Sequence, residues 1–145
     1  MTGATLNPWL MAAGVANTIA ALLHAGCIVG GANWYRFFGA GERMARMVER
    51  GLILPHIYTA IIVLILTGWA AFAFSGAGLI GRLPLLRVGL AAISTIYLAR
   101  AILGPFLLVS PDRSATFLWI SSAIVLVIGL LHAIGTAQIW NSAGR

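Results

Sequence analysis

Arg100 and three histidines, His24, His56 and His132, stand in stretches where almost every neighbour is apolar. Charged or titratable side chains in such surroundings are costly unless they are paired, hydrated or put to use. A guanidinium there suits an anionic group: a lipid phosphate, a carboxylate or a propionate. Two imidazoles suit haem iron, because they complete its octahedron. Placed by depth along their segments, His24, His56, Tyr97 and Arg100 are expected to line one polar pocket. Arg100 would hold an anionic head, His24 and His56 would supply hydrogen bonds or proton transfer, and Tyr97 would orient Arg100. Cys27, His132, Arg43 and Arg46 are the secondary candidates.

The sharper alternative is a haem b held axially by His24 and His56, with Arg100 on a propionate. One cysteine excludes an internal disulfide and a multi-cysteine cluster. The three acids, Glu42, Glu49 and Asp112, all fall outside the apolar stretches. No metal centre is therefore expected, and acid-driven transport lacks its usual intramembrane carboxylate. His132 with Ser121, Ser122, Thr136 and Gln138 suggests a proton path, again without a carboxylate.

Four apolar segments must position these residues: roughly 9–31, 52–75, 86–109 and 116–139. Crossing ~30 Å of hydrocarbon takes about 20 residues at 1.5 Å each. Apolar content of 61% with 8% charge fits the same reading. The expectation is an all-α polytopic membrane protein, a four-transmembrane-helix bundle forming a single membrane domain over 1–145. Segment one is not expected to be a cleaved signal, since no Lys or Arg precedes it and its apolar run is too long.

The first connection opens on Trp34, Tyr35, Phe37 and Phe38, rings suited to the headgroup level. Gly39 and Gly41 then permit a turn, and 42–50 reads as a short amphipathic helix at the interface. Glu42 with Arg46, and Arg46 with Glu49, have the spacing of helical ion pairs. The aromatic cluster and this helix could form a lid hinged at the two glycines. The third connection is a tight Ser-Pro-Asp-Arg turn, where Asp112 or Ser114 could cap the last helix.

All nine basic residues are Arg, and the net charge is +6. Most flank segments, where they serve topology and lipid headgroups, so nucleic acid is not an expected partner. Arg36, Arg43, Arg46, Arg50 and Arg113 lie in connections one and three; Arg82, Arg87 and Arg145 lie on the other side. That bias puts both termini on the periplasmic side of a bacterial inner membrane.

Small and polar residues recur at helical spacing on one face of each segment. These stripes are Gly14–Asn17–Ala21–His24–Ile28–Gly31, His56–Thr59–Val63–Thr67–Ala70, Gly89–Ile93–Tyr97–Arg100–Gly104 and Ser122–Val125–Gly129–His132–Thr136–Ile139. Each is expected to meet the other helices. Gly26 and Gly30 form a Gly-x-x-x-Gly pair that could serve a homo-oligomer.

The plan resembles the MAPEG group of glutathione- and lipid-handling membrane enzymes, which are also short, basic and four-helical with a long polar first connection. Their motif there runs Arg-x-x-Arg-x-His-x-Asn-x-x-Glu. Arg43 and Arg46 match it, while Val48, Arg50 and Ile53 stand at the other three positions. The residues themselves point to a membrane protein binding an anionic-headed amphiphile or lipid, as a binding protein or small lipid-modifying enzyme. The competing class is a structural or accessory subunit whose polar residues only lock helices together.

Overall fold

The computed structural model describes residues 6–107 and 114–141. Five helices form: α1 (Pro8–Phe37), α2 (Glu42–Glu49), α3 (Leu54–Ala77), α4 (Leu86–Leu107) and α5 (Ala115–Asn141). All but α2 are long and apolar enough to cross a membrane. The chain is an all-α membrane bundle of four spans, with the short amphipathic helix where the sequence placed it. Arg113, Asp112 and Arg145, used above for orientation and capping, lie outside the described residues. Ser114 does cap α5, its hydroxyl accepting from the Phe117 amide at 3.1 Å.

Neighbouring helices run in the order α1, α3, α4, α5 around the bundle, with α1–α3 and α4–α5 packed most intimately. α1 and α4 stand diagonally opposed, with no close backbone approach. Small residues set the tight seams. A Cβ built on Gly129 of α5 would lie 3.0 Å from Tyr97 Cβ and 3.3 Å from the Leu98 amide nitrogen of α4. One on Gly135 would come within 3.1 Å of the Leu10 amide nitrogen of α1. Of the expected inward stripes, Gly14, Asn17, Ala21, Thr59, Ala70, Ile93, Tyr97, Gly104, Ser122, Gly129, His132 and Thr136 are buried. The other stripe residues are half-buried, except Thr67, which is exposed. It faces outward and bonds the Val63 carbonyl of its own helix at 2.8 Å, the usual way a lipid-facing threonine satisfies its hydroxyl.

α1 runs further than the 9–31 expected of it. Asn7 caps its start, its side chain accepting from the Trp9 and Leu10 amides at 3.1 Å each. The helix then kinks at Gly31, whose φ of 67° and ψ of −159° suit a residue without a Cβ. It resumes to Phe37, so the aromatic cluster begins on a helical extension and not in a loop. Beyond the kink, Trp34 folds back over the Gly-x-x-x-Gly pair. A Cβ on Gly26 would sit 2.7 Å from Trp34 Cζ3, and one on Gly30 would overlap the indole itself. That groove is filled by a side chain of the same chain.

Tyr35 fastens the extension to α3, with its hydroxyl 2.9 Å from Thr59 Oγ1 and 3.3 Å from the Pro55 carbonyl oxygen. The ion pairs of this corner differ from those the spacing suggested. Arg36, not Arg46, takes both carboxylates: Nε and Nη2 reach Glu42, and Nη1 reaches Glu49, all at 2.8 Å. The turn at Gly39 (φ 68°) and Gly41 (φ 96°) doubles α2 back far enough for one planar guanidinium to span it.

These bonds from Arg36, aided by its charge and by that of Arg46, hold the Glu42 carboxyl below the ordinary glutamate range. A lowered folded-state pKa means a contribution fully present above the ordinary value of about 4.3 and lost as pH falls through the lowered one. Amide protection factors across α2 should therefore be flat from neutral pH down to about 5 and drop below about 4. Arg36→Gln should produce the low-pH behaviour at neutral pH. Equal protection in the variant and the parent would dissolve this corner as a unit.

Candidate functional site

The polar residues of the spans gather at two levels of the α4–α5 seam. At the centre, the Tyr97 hydroxyl donates to Asn17 Oδ1 across the α1–α4 diagonal. Asn17 Nδ2 lies 3.0 Å from His132 Nε2 on α5. Because the amide oxygen is already accepting, the amide nitrogen faces the ring as donor, and His132 Nε2 must accept. The imidazole therefore carries its proton on Nδ1. That atom is buried with no protein partner in hydrogen-bond reach. Asn17 and His132 are both 0% exposed.

Rings enclose this centre. Tyr97 meets Trp69 of α3 edge-on at 4.9 Å and His132 at 5.5 Å between centroids. Ile93, Ala21, Leu66 and Ile128 complete the surrounding core. All four spans thus contribute to it. No two of these groups are bonded in a way that relays a proton easily, since the carboxamide between tyrosine and histidine would have to give up its amide form. The arrangement is suited to fixing geometry.

Arg100 lies on the same helix as Tyr97 but points the other way. Its guanidinium reaches one turn toward the α4–α5 connection, covers Gly104 and donates from Nη1 to Ser122 Oγ at 3.1 Å. The Tyr97 hydroxyl donates to Asn17 instead. The guanidinium has the reach of a long side chain that carries its charge toward the membrane edge.

The remaining candidates sit elsewhere. His24 is half-buried and its Nδ1 bonds the Ala20 carbonyl of its own helix at 2.7 Å. His56 is half-buried at the start of α3, its ring edge-on to Tyr35 at 6.0 Å between centroids. Cys27 packs with Tyr35 and Ala45 under α2. Arg43 and Arg46 are exposed on α2. No hydrogen bond or ring contact among the described residues joins His24 to His56, and none forms a cluster of three metal-ligating side chains. Of the residues expected to form a proton path with His132, Thr136 Oγ1 donates to the His132 carbonyl at 2.6 Å and Ser121 to the Leu118 carbonyl, whereas Ser122 accepts from Arg100 and Gln138 accepts from Asn7 at the start of α1.

Asn17 is the participant that sequence reasoning did not single out. Its signal was present: an amide inside an apolar segment, on the same face as Gly14 and Ala21. Its partners could not be read, because they lie on helices remote in sequence. Compared with family models, curated proteins and solved structures, the chain matches none.

Proposed function

We propose that this four-span protein is a structural or accessory component of a membrane assembly, and that its buried polar residues fix helix register. One observation carries the reading: Asn17 of α1 is bonded at once to Tyr97 of α4 and His132 of α5. Other span hydroxyls are turned inward on their own helices. Thr18, Thr59, Thr67, Ser94, Thr95 and Thr136 each bond the carbonyl four residues back. A side chain satisfied this way offers little to a ligand. Interhelical bonds of the Asn17 kind specify one packing arrangement, because any other leaves polar groups orphaned in lipid.

A second reading has one observation in its favour. Arg100 brings a half-buried cation to the α4–α5 seam, and an anionic-headed amphiphile would meet it there. Purification in a mild detergent separates the two, with an absorption spectrum and the mass of the particle as readouts. The accessory reading expects a particle heavier than one chain, holding a defined partner and showing no Soret band. A single chain carrying a stoichiometric amphiphile would favour the Arg100 reading. A Soret band lost on His24→Ala or His56→Ala would replace both with a haem protein.

A further inference from the structure

At the end of the bundle remote from α2, the α3–α4 connection forms a shallow recess of about 300 Å³. Arg82 and Arg87 line it together with Leu83, Leu85, Leu86 and Val88. We propose that this recess binds the phosphate of an anionic phospholipid headgroup through Arg82 and Arg87. The inference stands apart from the accessory reading above and uses none of its residues.

The chain builds this corner with care. Ser75, itself 4% exposed, donates to the Gly81 carbonyl and accepts from the Leu83 amide, both at 2.9 Å. That pair of bonds clamps the backbone on either side of Arg82. Leu85 then turns the chain into α4 with φ at 53°, a region a branched side chain rarely adopts. The turn leaves Leu85 77% exposed and Val88 60% exposed beside the arginines. Arg87 is steadied from outside the recess, its guanidinium carbon lying 5.9 Å from the centroid of the Trp140 ring on α5.

Charge and shape fit one ligand class. Two guanidiniums present forked donors that match phosphate oxygens. The first amides of α4 add the positive end of its dipole to the same place. The chain's three Asp and Glu residues all lie in the first and third connections, so no acidic side chain lies among the described residues at this end. Exposed Leu85 and Val88 beside the charges suit the glycerol and upper acyl region of a lipid, and Trp140 marks the headgroup level. A soluble phosphate would satisfy the arginines but leave those apolar walls in water.

Native mass spectrometry of the full chain, released from micelles containing equal phosphatidylglycerol and phosphatidylcholine, tests the site. The expected result is retention of phosphatidylglycerol over phosphatidylcholine. Each arginine should contribute about fivefold (about 1 kcal/mol for a basic residue near an anionic surface), so Arg82→Gln with Arg87→Gln should weaken retention about 25-fold. Arg82→Lys with Arg87→Lys should keep most of it, and Arg43→Gln with Arg46→Gln should change nothing. Equal loss in the Arg43 and Arg46 variant would reduce the effect to overall charge and overturn the site. No preference between the two lipids in the unaltered protein would overturn it independently of any variant. Displacement of the lipid by glycerol phosphate at equal concentration would reassign the recess to a soluble phosphate and overturn the lipid assignment.

Discussion

Asn17→Leu should destabilise the bundle by about 2 kcal/mol, more than any other single loss of a polar group in the spans. The side chain is 0% exposed, so the substitution removes no contact with solvent. It strips a partner from the Tyr97 hydroxyl and from His132 Nε2 together. An orphaned buried polar group typically costs about 1–3 kcal/mol, while interhelical bonds measured inside bilayers average nearer 0.6 and reach about 1.7. Two orphans at about 1 kcal/mol each, between the membrane mean and its maximum, give the figure above. Leucine has as many side-chain heavy atoms as asparagine and is the larger of the two, so a cavity does not explain the loss. The unfolding midpoint in mixed micelles checks it.

The second large effect belongs to the α4–α5 seam. Gly129→Val should cost about 2–3 kcal/mol. Alanine there would gain up to about 1 kcal/mol of helix propensity, which offsets much of a modest overlap. Valine adds two methyl groups beyond a Cβ already 3.0 Å from Tyr97 Cβ and 3.3 Å from the Leu98 amide. One of those neighbours is backbone, which cannot rotate away, so the helices must separate. Separation moves Tyr97 off Asn17 and compounds the loss. Gly68 provides the contrast, because nothing lies within 4 Å of a Cβ there. Gly68→Val should leave the same midpoint within about 0.5 kcal/mol, as expected away from packed features.

What the sequence made legible follows from short-range physics. Span lengths, the Glu42–Glu49 helix and the inward stripes all come from composition and from a period of 3.6 residues, which a single helix imposes on itself. The order of helices around the bundle is not a local property, and it decides that Asn17 faces both Tyr97 and His132. The same holds for Arg36. Its spacing from Glu42 and Glu49 fits no helical pair, and only the fold-back at Gly39 and Gly41 brings the three together. The four leading candidates illustrate the limit. Tyr97 and Arg100, three residues apart on one helix, take different partners, Asn17 and Ser122. The Gly26–Gly30 pair advertises a groove without saying that Trp34 fills it.

The most direct test of the central claim, that the polar residues of the spans lock helix register, is a double-mutant cycle between Asn17 and Tyr97 in a bilayer. Tyr97→Phe removes only the hydroxyl and should cost about 1 kcal/mol by orphaning the amide oxygen. Once Asn17 is leucine, the tyrosine hydroxyl is itself the orphan, and removing it should cost nothing or restore stability. The account predicts a coupling of about 1 kcal/mol or more between the two positions. Additive losses, with no coupling, would show that the bond across the α1–α4 diagonal does not hold the bundle together, and would contradict the account.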